Sequence, residues 1–313
     1  MQPVVAEVVR SGFVESRHHG SAIGLAADGR TAFAVGETDV PMYPRSANKP
    51  VQATAMLRLG LDLDGELLAL AAASHSGEEF HVAGVRRILA AAGLDEGALQ
   101  TPADWPLDDL ARLAYTRQGL DPSPIAMNCS GKHAAMLATC AVNGWPTATY
   151  RDPAHPLQQA IAATLAGLAG EPVAHTGVDG CGAPLYAISL AGLARAFRAL
   201  ATAEPGTPER RVVHAVQSHP QFTSGTTRDE ARLIRAVPGL FGKAGAEAVY
   251  AVALDDGRAV AVKVEDGGAR ARPVVMAAAL RRLGVDHPVL DEIGRTPLLG
   301  GGEPVGEVHA VDW

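Results

Sequence analysis

The chain has 313 residues and a formal net charge of −7, and no stripe of Lys and Arg is interleaved with aromatics, which excludes a nucleic-acid surface of the usual electrostatic kind. Apolar residues make up 47% of it, enough to bury a full core. The balance suits a small-molecule substrate, and the length suits one large domain or two modest ones.

The amino end lacks the charged-then-apolar pattern of a signal segment. Residues 21–26 and 31–36 read as strands joined around Asp28-Gly29, a hairpin signal. Ser46-Ala47-Asn48-Lys49 follows, with Pro50 directly behind it. Proline is tolerated only in the first turn of a helix, so a helix over 51–59 starts near Ser46. A spacing of three places Ser46 and Lys49 on one face, and a neutral lysine there can take the proton of a serine. An N-cap serine beside a solvated lysine gives the same pattern. Unpaired N–H groups at the helix start favour a developing negative charge.

The apolar run 67–73 delivers Ser74-His75-Ser76 to a turn. Ser76 and Glu79 have capping-box spacing, which leaves Ser74 unexplained. A helix is expected over 82–92, then loops at 101–108 and 121–125. The longest apolar runs, 67–73 and 134–142, are too short to cross a bilayer.

Asn128-Cys129-Ser130-Gly131-Lys132-His133 is the densest polar cluster and opens a helical run over 134–143. Cys129 and Lys132 stand three apart, as ligands or proton carriers on one face would. After a helix over 156–169, Gly177-Val178-Asp179-Gly180-Cys181-Gly182 sets an acid and a thiol in a stretch built for close backbone approach. Cys140 sits in an apolar run and reads as core filling. Cys129 and Cys181 have polar, Gly-rich surroundings, and two thiolates bind zinc if a third ligand joins them. Three cysteines are an odd count, a poor disulfide framework, so a reducing cytoplasm is the expected location.

Helices are expected over 185–200 and 208–217, with breaks at 204–207 and 220–226. Phe241-Gly242-Lys243-Ala244-Gly245 precedes a second hairpin, 248–254 and 259–265 around Asp255-Asp256-Gly257, and a helix over 272–283 follows. The tail after residue 285 carries no motif. Strands at both ends with helices between predict an α/β chain of the α+β type. Both termini enter one antiparallel sheet, and a largely helical middle, about 45–240, packs on it. Residues 1–313 read as one catalytic domain. In order, Ser-x-x-Lys, Ser74-His75-Ser76 and Lys243-Ala244-Gly245 follow the pattern of penicillin-recognising serine enzymes, with Ala244 where threonine is usual.

On these residues the chain resembles the L-asparaginase II-like family, the thermolabile rhizobial type. The likeness runs through Arg45-Ser46-Ala47-Asn48-Lys49-Pro50, Ala73-Ser74-His75-Ser76-Gly77-Glu78 and Asn128-Cys129-Ser130-Gly131-Lys132-His133. It continues through Asp152-Pro153-Ala154-His155-Pro156-Leu157-Gln158-Gln159, Val178-Asp179-Gly180-Cys181 and Gly242-Lys243-Ala244-Gly245-Ala246-Glu247. Residues 220–228 follow the family's glycine-rich stretch only loosely. The resemblance implies a serine-β-lactamase-like fold, hydrolysis of L-asparagine to L-aspartate and ammonia, and a homodimer. It implies two Ser–Lys pairs, Ser46 with Lys49 and Ser74 with Lys243, and a Zn2+ site from Cys129, Lys132 and Cys181. Arg45, His133 and Asp179 match positions that contact substrate or support the site.

In the mechanism expected from these roles, Ser46 attacks the carboxamide and Lys49 takes its proton. Ser74 relays a proton between the lysines. Asp179 meets the α-ammonium and Arg45 the α-carboxylate in a fork geometry. Two alternatives remain at this stage. One is another serine acyl-transfer hydrolase on the same scaffold: a β-lactamase, an esterase or a peptidase. The other is a zinc-stabilised amino-acid-binding protein.

Overall fold

Residues 2–313 are described by a computed structural model. Three strands open the chain, β1 (Val4–Arg10), β2 (Phe13–Leu25) and β3 (Thr31–Val35), followed by the two-residue β4 (Pro41–Met42). The helical middle holds α1 (Lys49–Arg58), α2 (Gly65–Ala71), α3 (Glu79–Ala91), α4 (Asp109–Arg117), α5 (Ser130–Val142) and α6 (Pro156–Ala169). Then come β5 (His175–Val178), β6 (Pro184–Ser189), α7 (Leu190–Ala201), α8 (Pro208–Ser218), α9 (Pro220–Thr223) and α10 (Asp229–Ala236). The chain closes with β7 (Leu240–Ala244), β8 (Val249–Leu254), β9 (Ala259–Val264), α11 (Arg272–Arg282), α12 (Val289–Ile293), β10 (Arg295–Gly300) and β11 (Glu303–Ala310).

The main sheet runs β10-β11-β1-β2-β9-β8-β7, with β3 also on β2, and β4-β6-β5 form a small second sheet. Every pairing is antiparallel. The two chain ends meet as expected, Ala6 opposite Ala310. β8 is buried along its whole length and β9 at five of six positions. The reason is that α7 packs on β8 and β9 while α11 packs on β9 and β2. A strand covered on both faces reads as a continuous apolar run, so alternation is lost.

Three local expectations change. Residues 185–189 form β6, and the helix begins only at Leu190. Ser189 caps it, accepting from the Gly192 N–H at 2.8 Å, and β6 is claimed by strands on both sides. The Ser46 turn is a 3-10 turn over Arg45–Asn48, and α1 proper starts at Lys49 with Pro50 in its first turn. The Ser76–Glu79 capping box is not made. Glu78 is the N-cap of α3 without a side-chain cap, and its carboxylate accepts from the N–H and hydroxyl of Thr226 at 2.9 and 2.8 Å. Among the described residues no helix is long and apolar enough to cross a membrane.

Candidate active site

The Ser46 turn is held in an unusual backbone. Arg45 has φ +49°, and of the four non-glycine residues with positive φ among the described residues, three are Arg45, Glu247 and Ala248. Such conformations are disfavoured for side chains with a Cβ and persist only where the surroundings fix them. The surroundings here are the end of β7. A Cβ at Gly245 would meet Pro44 O at 2.8 Å, Ala47 N at 3.0 Å and Ser46 N at 3.2 Å, so only glycine lets the two backbones touch. Ser46 is half-buried. Among the described residues neither its hydroxyl nor its N–H has a hydrogen-bond partner.

Lys49 lies one turn on and is 1% exposed. Its Nζ sits 2.6 Å from Ala73 O, 2.8 Å from Ser74 Oγ and 3.0 Å from Cys129 Sγ. The lysine that shares a turn with Ser46 is therefore bonded to Ser74. Ser74 is fixed by backbone stitching on both sides. The N–H groups of Ser74 and Ser76 donate to Thr223 O and Ser224 O at 3.2 and 2.7 Å, and that of His75 to Asn128 O at 3.0 Å. The loosely matching 220–228 stretch thus supplies one wall of the Ser74 loop through its main chain.

Cys129, Cys181, Met127 and Ala183 form a small buried cluster. Lys132, at the start of α5, donates to Cys181 Sγ at 3.1 Å. All three cysteines are free. Cys129 Sγ donates to Asn128 Oδ1 at 3.0 Å. Its closeness to Cys181 raises the Cys129 thiol, helped by burial, and lowers Cys181, which Lys132 and His133 also lower. Burial opposes the charge on Lys132, but the two sulfurs outweigh it and its pKa is raised. His133 Nδ1 lies 2.7 Å from the Tyr150 hydroxyl, which accepts from the Gln100 N–H at 3.2 Å. The tyrosine hydrogen is thereby left for Nδ1, and the ring hydrogen goes on Nε2. Burial pushes His133 down to about 4, so it is neutral at pH 7.

The three expected zinc ligands do converge. Among the described residues no set of three His, Cys, Asp or Glu side chains does so, and the third donor here is the Lys132 amine. Two sulfurs and an amine suit zinc chemically, provided Lys132 gives up the proton it donates to Cys181.

Arg45 and Asp179 were expected at opposite ends of an amino acid. They face each other, with Arg45 Nε and Nη2 both 2.9 Å from Asp179 Oδ1. Glu247 lies 3.9 Å from the other guanidinium nitrogen. Asp179 is set by the Gly-rich turn after β5, where the Gly180 N–H also donates to Oδ1 at 2.9 Å.

Lys243 was expected to pair with Ser74 and does not. Its Nζ donates to Glu230 Oε1 at 2.6 Å and to Ala244 O at 2.8 Å. Glu230 was missed in the sequence. It stands in Arg228-Asp229-Glu230 at the start of α10, a charge run that resembles a solvated helix end. Its placement four residues before the apolar Ile234 was the available signal.

The fold brings a buried amine between a hydroxyl and a thiol, one turn from a serine with an unengaged hydroxyl. The sequence model described as L-asparaginase II matches residues 6–310. The chain belongs to the L-asparaginase II family. No curated protein matches it. Among solved structures it is similar to Mglu in its native form, at 16% identity and TM-score 0.47, over 85% of this chain and 65% of that one. It is similar to a β-lactamase from Mycobacterium bovis, also at 16% and 0.47, over 85% of this chain and 95% of that one. A Bacillus glutaminase shows 10% identity and a TM-score of 0.42, over 79% of this chain and 83% of that one. The chain thus spans just under two thirds of Mglu.

Proposed function

We propose that residues 1–313 act as one catalytic domain that hydrolyses L-asparagine to L-aspartate and ammonia through a Ser–Lys activated nucleophile. The observation that carries this reading is the buried Lys49 amine, 2.8 Å from Ser74 Oγ, in the turn that follows Ser46. Ser46 has an unengaged hydroxyl to attack with and an unengaged N–H to offer the oxyanion. Lys49, in its neutral form, takes the proton and passes it to the leaving amine with Ser74 as the carrier, and water then cleaves the acyl–Ser46 ester to release L-aspartate, its proton returning by the same route. Asp179 and Arg45 exchange their mutual ion pair for the α-ammonium and α-carboxylate of the substrate, each meeting a partner of opposite charge.

Cys129, Lys132 and Cys181 would hold Zn2+, which when bound supplies a Lewis acid that orients a substrate oxygen. His133, neutral and held by Tyr150, lies beside Cys181 and favours its thiolate. A homodimer completes the proposal, and sedimentation velocity at micromolar concentration tests it, a single monomer boundary being the contrary result.

The deciding assay is ammonia release from asparagine, glutamine and a β-lactam, with and without chelator. Release from asparagine well above the other two supports the proposal. Turnover of the β-lactam with an adduct on Ser46 points to a different acyl transfer. Binding of asparagine with no ammonia, unchanged in Ser46→Ala, reduces the chain to a binding protein.

A further inference from the structure

The turn after β7 reaches the rim of the Ser46 turn. Gly245 packs against the backbone of Pro44, Ser46 and Ala47. Two residues on stands Glu247, at φ +56°, with Ala248 at φ +50°. A residue with a Cβ keeps such a backbone only where its surroundings fix it. Gly267 closes against Glu247 from behind: a Cβ there would meet Glu247 Oε2 at 2.7 Å and its Cα at 3.3 Å. The other oxygen, Oε1, lies 3.9 Å from Arg45 Nη1, too far for a hydrogen bond, and the side chain is 59% exposed. Burial lowers the pKa of Lys263 and Glu247 opposes that, but the Lys263 amine donates to Val264 O at 2.5 Å.

Arg45 therefore stands between two carboxylates. Asp179 Oδ1 receives Arg45 Nε, Arg45 Nη2 and the Gly180 N–H, each at 2.9 Å. When Arg45 turns to a substrate carboxylate, Asp179 is left with one oxygen still bound to Gly180. A substrate ammonium brings three donors, more than that one acid is placed to take. Glu247 is the acid on the other side of the same guanidinium, held only by a long ion pair.

We propose that Glu247 is a specificity-determining residue: with Asp179 it seats the α-ammonium of the substrate while Arg45 holds the α-carboxylate. This rests on the asparagine reading above and names a further residue of that site. One guanidinium between two carboxylates leaves a negative surplus. Such a surplus suits an amino acid and disfavours a ligand that brings a carboxylate without an amine.

Succinamic acid is asparagine without the α-amine, so it calls on Arg45 and not on Glu247. In Glu247→Gln the KM for asparagine should rise about threefold or more, with kcat changed less than about twofold. The ratio of kcat/KM for asparagine to that for succinamic acid should fall about threefold or more. Where succinamic acid is not turned over, its inhibition constant against asparagine takes the place of its kcat/KM. Glu247→Asp keeps the charge and should recover part of the ratio. A fall of less than about threefold in Glu247→Gln overturns the proposal. So does an equal loss on both compounds, the result of a merely structural role in the turn. If the parent releases no ammonia from asparagine, the proposed activity fails by itself. Calorimetric affinities of Ser46→Ala for L-asparagine, with and without Glu247→Gln, then decide, and no binding or a difference below about threefold overturns the role of Glu247.

Discussion

Lys49 gathers a carbonyl, a hydroxyl and a thiol around one buried amine, and the proposed nucleophile Ser46 precedes it with its hydroxyl unengaged. Ser46→Ala should therefore remove turnover by about a thousandfold or more. It should leave the fold unchanged, with a stability change within about 0.5 kcal/mol. Ammonia release and a urea melt check the two halves. Cys129→Ser acts at two sites at once, since Cys129 touches Lys49 at 3.0 Å and is buried in one cluster with Cys181. Purified Cys129→Ser should carry less zinc per chain than the parent by elemental analysis, and its activity should no longer respond to chelator. At this scale the sequence singled out Ser46, Lys49, Ser74, Cys129, Lys132 and Cys181, because they carry chemistry that their surroundings do not otherwise explain. It was poor at saying which touches which. Ser74 goes to Lys49 and Lys243 goes to Glu230, and those partners are 25 and 13 positions away.

Elements place these residues through close contacts that glycine permits. The first turn of α5 carries Lys132 and His133 and packs directly on α2. A Cβ at Gly131 would meet Leu70 O at 2.6 Å and Leu70 Cγ at 2.7 Å, so a backbone atom stands in the way. Gly131→Ala should cost about 1–3 kcal/mol of stability as overpacking, measured as a lower urea midpoint. It should also weaken zinc retention, because the ligand-bearing turn has to move. The helix over 130–142 was legible from its apolar run, and so were both hairpins, from Asp28-Gly29 and Asp255-Asp256-Gly257. α4 and α10 were not. α4 has no buried residue, and α10 is eight residues long with its few apolar positions, Ala231, Leu233 and Ile234, set among charges, too short a stretch for a period to stand out. β6 was misjudged because six consecutive buried residues carry no period of two, and the helix behind it shares its composition.

Across the whole molecule the pH response follows from histidines buried neutral. His75 and His81 are both 0% exposed and their rings stack at 5.0 Å. Burial pushes His81 from 6.5 down to about 4 and His75 well below its ordinary value. For a histidine whose folded pKa is depressed, the unfolded chain binds a proton first as pH falls. Stability should then drop as pH falls below about 6.5, with His81 alone giving about 2 kcal/mol between pH 7 and 5. Urea midpoints at pH 7, 6 and 5 check the slope, and His81→Phe should flatten it. The sequence by itself determined the inventory: an antiparallel sheet drawn from both ends, a helical middle, and a set of serines, lysines and thiols awaiting partners. Those follow from local composition, turn chemistry and short spacings. Only the tertiary structure decided the pairings, the strained turn at Arg45 and the buried carboxylate of Glu230. Hydrogen bonds between distant segments and the burial of a charge depend on what the folded chain brings alongside, and no local pattern encodes that.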